Sequence, residues 1–172
     1  VRTFPPVFLE NFSPQESRAF IDKKLMQAGL KISGKAFEKV VEVAEGHPFV
    51  LTAYLATAYS KYQPPERELS EAHFNAADVE FVGRVLAPFF SRFYDQAGHA
   101  SKKILSALAS EERGESSLSA LCDKLGRQSN ELSPHLAKLI QDGAIVRVDR
   151  GRYRLFHHLL AEYIAAKAPP QA

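Results

Sequence analysis

Reactive side chains are few in this chain. The six histidines are His47, His73, His99, His135, His157 and His158. None stands in an H-E-x-x-H pair or beside a cysteine pair, the spacings that bring zinc ligands together. His158 and Glu162 lie at i, i+4, the spacing of an ordinary helix surface pair. Cys122 is the single cysteine, so no internal disulfide can form. Beside Leu121 and Leu125 it reads as a small core thiol, and its isolation fits a reducing, cytoplasmic setting. No nucleophile elbow is present. The sequence therefore predicts no catalytic residue, no metal ligand and no enzyme in this stretch of chain.

One phosphate-binding pattern has to be dismissed. "GLKISGKA", Gly29 to Ala36, matches the first part of a P-loop. A P-loop places Ser or Thr after its Lys to hold magnesium, and here Ala36 takes that position. A helical pattern precedes it, not the buried strand a P-loop needs. Gly29 is better read as a helix terminator.

Cationic and polar side chains cluster twice in the last third. "AIVRVDRGRYRLF" alternates, with Arg147, Arg150, Arg152 and Arg154 set among Ile145, Val148, Tyr153 and Leu155, and it turns at Arg150-Gly151. This predicts a β-hairpin whose tip reaches phosphates, or a solvated strand face whose arginines pair with carboxylates. Just upstream, Arg127, Gln128, Asn130, Ser133, His135 and Lys138 are suited to base or phosphate contact on a helix. Glu131 and Pro134 occupy its first turns and weigh against that reading. Duplex DNA and a protein partner both remain open for this face.

The elements that would position these residues follow from caps and periodicity. Ser13, Pro14 and Glu16 form a capping-box start, and Phe20, Ile21, Leu25 and Ala28 continue at helical spacing to Gly29. Ser33 opens a second helix along Ala36, Phe37, Val40, Val41 and Ala44, ended by Gly46. Pro48 starts a third, apolar on most sides and so central, to about Ser60. "YQPPERELSEAHFN" reads as a loop. A longer helix is expected from about Ala77-Asp78, with Val82, Val85, Leu86, Phe89, Phe90 and Phe93 inward and a kink at Pro88. A boundary is placed at Gly98. Beyond it come three helices, marked by Ile104, by Ser117 with Leu121, and by Leu132 with Leu136. The hairpin and a closing helix follow. Three helices and then a hairpin is the order of a winged helix.

Several of these stretches resemble a known family. "FLENFSPQESRAFIDKKLMQAG" resembles the segment by which AAA+ and related STAND ATPases pass from the nucleotide-binding core into the helical lid. "EVAEGHPFVLTAYL" is similar to the G-x-P signature of that lid, with Gly46, His47 and Pro48 in its three places. "LAKLIQDGAIVRVDRGRYRLFHHLLAEYI" resembles the winged helix that follows the lid in archaeal-type members. The resemblance implies that Gly46, His47 and Pro48 lie against the adenine of a bound nucleotide in the full-length protein. It also implies an ATPase core on the same polypeptide, preceding Val1, that holds ATP or ADP with magnesium. The Walker motifs are not in this chain, so no cofactor is expected in this fragment alone.

The bulk composition suits that outline. The 172 residues are 45% hydrophobic and 24% charged with a net charge of +2, ordinary values for a globular chain. The first 98 residues carry a net −1 and the remainder +3, a mild basic bias rather than the dense charge of an obligate nucleic-acid binder. No run approaches a membrane span. The expectation is a mainly α protein: a helical lid-like domain over 1–98, then a winged-helix domain over 99–172 with one small β-hairpin. Its reading is a sensor and effector fragment, with a stand-alone DNA-binding regulator as the alternative.

Overall fold

Local sequence signals place most of the helix ends. The structure is a computed structural model that describes residues 11–167. Phe8–Glu10, the start of one segment quoted above, and the tail after Lys167 lie outside the described residues. In helix α1 (Pro14–Gln27) the Ser13 hydroxyl accepts from the Glu16 N–H at 3.2 Å and Glu16 accepts from the Ser13 N–H at 2.8 Å. Gly29 follows with φ +68°, and the Leu30 N–H returns to the Leu25 carbonyl at 2.9 Å. This is the left-handed stop expected of a terminal glycine. Ser33 caps α2 (Gly34–Ala44), and α3 (Pro48–Tyr59) begins on its proline.

The described residues divide into two compact units, one ending at Leu86 and the other beginning at Ala87. The first holds α1 to α3 and α4 (Glu71–Glu80), with a π-helical stretch, Phe81–Leu86, after α4. Helix α3 packs against both α2 and α4. Val50, Leu51, Tyr54, Leu55 and Ala58 are buried, while Phe49 is 41% exposed. Two short strands, β1 (Lys31–Ile32) and β2 (Glu68–Leu69), pair in parallel. No alternation two residues long could have announced them.

Two expectations for this stretch are corrected. Helix α4 starts at Glu71, not near Ala77. Ser70 donates its N–H to His73 Nδ1 at 3.0 Å, and His73 Nε2 lies 2.7 Å from Glu66. An imidazole three residues past the cap takes the role usually filled there by Glu or Gln. Val82 is 53% exposed, whereas Phe81 and Leu86 are each 1% exposed. The π turn widens the repeat, so the inward positions here stand five apart and a 3.6-residue template picks the wrong valine.

The second unit contains α5 (Ala87–Tyr94), α6 (His99–Ala109), β3 (Glu115–Ser117), α7 (Leu118–Leu125), α8 (Ser129–Gln141), β4 (Ile145–Asp149), β5 (Arg152–Leu155) and α9 (His158–Lys167). The hairpin strands pair antiparallel, and β3 adds to the outer side of β5 to give the order β3-β5-β4. The expected small β-hairpin is present, and it is part of a three-stranded sheet. Tyr153 and Leu155 turn inward, while Arg152 and Arg154 turn outward. Ile104, Leu105, Leu108, Leu121, Leu132, Leu136, Leu139, Leu160 and Ile164 form the core. Helix α5 joins it through an aromatic cluster, with Phe93 5.4 Å from Phe89 and 4.9 Å from Phe156, and Phe90 5.9 Å from Tyr163. Cys122 is half-buried rather than fully enclosed. The protein is mainly helical, and among the described residues no helix is long and apolar enough to cross a membrane.

Candidate functional site

The Gly46-His47-Pro48 corner is built by two consecutive left-handed residues. Glu45 has φ +45° and Gly46 φ +72°. The chain thereby passes from α2 to α3 through only three residues, Glu45 to His47. The incoming segment is fastened to this corner: the Phe12 N–H donates to the Gly46 carbonyl at 2.9 Å, and Asn11 Nδ2 donates to the Glu45 carbonyl at 3.0 Å. A Cβ on residue 46 would stand 2.0 Å from the Phe12 carbonyl oxygen. Gly46 is therefore required twice, by its φ and by the close approach of a second backbone.

His47 and Pro48 have local duties as well. The His47 N–H donates to the Ala44 carbonyl at 2.7 Å, and its carbonyl accepts from Leu51 at 2.9 Å. Its Nδ1 accepts the Val50 N–H at 3.5 Å, so the imidazole caps α3. Pro48 needs no partner for a missing N–H at the first helical position. The carbonyls of Glu45, Gly46 and His47 and the N–H groups of Glu45 and His47 are thus bonded within the protein. His47 and Pro48 themselves are half-buried.

The polar face of α8 is largely self-neutralised. Arg127 meets Glu131 at 2.9 Å, and Lys138 meets Asp142 at 2.9 Å. The Gln128 N–H donates to Glu131 at 2.9 Å, and the Ser133 hydroxyl donates to the Ser129 carbonyl at 2.6 Å. The backbone bond from Gln128 and the guanidinium of Arg127 together hold the Glu131 carboxyl below its ordinary range. Asn130 is exposed and His135 half-buried. Pro134 is the sixth helical position, past the first turn where amides lack helical partners. It leaves the Asn130 carbonyl without its usual donor.

The hairpin is different. Arg152 is spoken for, with Nε and an η-nitrogen at 3.0 and 2.7 Å from one Glu115 oxygen. That carboxylate comes from β3, the strand not anticipated from the sequence. Arg147 Nε reaches only the Asp149 carbonyl, at 3.4 Å. Arg150 and Arg154 are exposed and have no side-chain partner among the described residues. The ten residues singled out from sequence therefore separate into an α8 set whose strong cations are paired and a hairpin set that keeps three arginines available.

One partly buried polar cluster escaped the sequence reading. The Tyr54 hydroxyl donates to Asp78 at 2.5 Å, and Lys39 meets the same carboxylate at 2.7 Å. Burial first, and then the bond to Asp78, push the Tyr54 phenol above its ordinary range. Tyr54 belongs to an apolar run and Asp78 to a stretch read as a helix start, so only the packing of α3 on α4 brings them together.

Residues 87–164 match the model of a domain of unknown function, DUF8462. No curated protein matches the chain. Among solved structures it is similar to three single-substitution mutants of RuvB from Thermotoga maritima, each at 16% identity with a TM-score of 0.42. These alignments cover 94% of this chain and 51% of RuvB, so the chain spans about half the length of the structures it matches.

Proposed function

We propose that this chain is the lid and effector portion of a STAND-like AAA+ ATPase. The observation that carries the reading is the pinned corner. The chain arriving through Asn11 and Phe12 is hydrogen-bonded to Glu45 and Gly46, so a core attached upstream would be linked to the His47-Pro48 turn through two short bonds. A shift of that core is then felt at the start of α3, the central helix of the first unit. On this reading Gly46, His47 and Pro48 lie against the adenine of the nucleotide held by that core. ATP and magnesium would be held by the upstream core, and this chain by itself would not be an enzyme.

The second unit, on this reading, is a winged helix that passes the nucleotide state to a partner. Its helix-strand-helix-helix-hairpin order supports the assignment. The available Arg147, Arg150 and Arg154 favour duplex DNA, met through phosphates at the hairpin rather than through bases at α8. Docking on protein is the second reading, favoured by the paired charges of α8 and by Val146 and Val148, 38% and 43% exposed on the edge strand β4.

The test uses the longer polypeptide extended upstream of Val1. Nucleotide binding there should weaken several-fold on His47→Ala, with folding intact by circular dichroism. An upstream sequence without a Walker A motif, or unchanged affinity in the variant, would reject the lid reading and leave a stand-alone regulator.

A further inference from the structure

We propose that the second unit binds a small organic acid, one carboxylate on a compact apolar body, in a cavity between α6 and α8. The inference rests on neither the lid reading nor DNA contact at the hairpin. The cavity holds about 210 Å³ and is walled by α6, the end of α7 and the start of α8. A cavity of about 150 Å³ is enough for benzene, whereas drug-sized ligands take about 300 Å³ or more. The space therefore suits one ring or a short alkyl chain with a single head group.

The lining has two characters. Ala100, Leu125 and Leu132 supply apolar surface, and Leu132 is only 4% exposed. Beside them stand His99 and Lys103 from α6 and His135 from α8. His99 and Lys103 are four residues apart and so share a face of α6, and Glu131 and His135 repeat that spacing on α8. Glu131 is the one carboxylate of this lining among the described residues, and Arg127, from the turn before α8, meets it at 2.9 Å. That pair neutralises itself. None of His99, Lys103 and His135 has an ion-pair partner among the described residues, so the ammonium of Lys103 is the charge left over. A carboxylate supplies the missing counter-ion and accepts charge-assisted bonds from the ammonium and from an imidazole N–H. The apolar body of the same molecule removes the leucine surface from water. A neutral ligand leaves Lys103 uncompensated, and an inorganic anion leaves the leucines wet.

The test is an amide-resolved NMR titration of the protein with sodium benzoate. Sodium chloride at matched ionic strength and benzamide, the uncharged analogue, serve as comparisons. Benzoate should shift the amides of Ala100, Leu125 and Leu132 saturably, and chloride should not. Benzamide should bind about tenfold more weakly, the scale of one hydrogen bond to a charged group. Lys103→Gln should weaken benzoate binding by about the same factor and leave benzamide binding unchanged. Ala100→Leu puts a branched side chain into the cavity and should abolish binding of both. Where that variant fails to fold by circular dichroism, the Lys103→Gln comparison decides alone. The site is overturned by the absence of saturable shifts with benzoate, by equal shifts in chloride, or by equal affinity for benzoate and benzamide. A Lys103→Gln variant that binds benzoate as before overturns it too.

Discussion

Gly46 shows how one residue can answer to two constraints at once. A side chain there must adopt φ +72° and also displace the Phe12 backbone. Gly46→Ala should therefore cost more than about 2 kcal/mol, beyond the ordinary left-handed penalty, and denaturant unfolding measures it. Tyr54 is the other telling residue. Tyr54→Phe removes a bond to a carboxylate and should lower stability by about 1–2 kcal/mol. The pH dependence follows from the raised phenol. A group with a raised folded pKa contributes stability that is complete below its unfolded value, here about 10. That contribution is lost as pH rises beyond it. The wild-type protein should lose stability above about pH 10, and Tyr54→Phe should lack this part of the alkaline loss. Equal alkaline slopes in the two proteins would remove Tyr54 from the account.

At the scale of elements, the caps were legible and the periods were not always. Ser13, Ser33, Pro48 and Ser117 mark helix starts because their chemistry acts within three or four residues. The start of α4 was hidden because His73 replaces the usual acidic partner, and the π stretch was hidden because it changes the spacing being sought. Strand β3 was hidden too: three residues of Glu-Ser-Ser become a strand only when β5 is alongside. That pairing alters what the hairpin can do. Arg152 is held by Glu115, while Arg150 and Arg154 are not. If the hairpin meets duplex DNA, Arg150→Ala with Arg154→Ala should weaken binding to any sequence. The slope of log affinity against log salt should fall by about one for each phosphate the hairpin no longer neutralises. Arg152→Ala should do much less. Titration at two salt concentrations separates the variants, and equal effects from all three would contradict the pairing.

At the scale of the whole molecule, each unit has its own core. Phe90 and Phe93 of α5 pack with Phe156 and Tyr163 of the second unit, and the family match also begins at residue 87. A fragment starting at Ala87 should fold cooperatively by itself. One starting at Gly98, where glycine and a new helical pattern suggested a boundary, would lose both phenylalanines from the aromatic cluster. It should melt well below the longer fragment in calorimetry, by roughly 10 °C or more given several kcal/mol for two large aromatics. Similar melting of the two would mean that α5 adds little to that core.

What the sequence determined by itself was whatever acts over a few residues. This covers the helix caps, the left-handed glycine stops, the reversing hairpin, the mainly helical class and the corner at Gly46-His47-Pro48. The tertiary structure decided what depends on partners distant in the chain. It brought Phe12 onto Gly46, Glu115 onto Arg152 and Asp78 onto Tyr54. Local signals act through short-range sterics and backbone hydrogen bonds. Which arginine is neutralised depends on packing between elements, which no local pattern encodes.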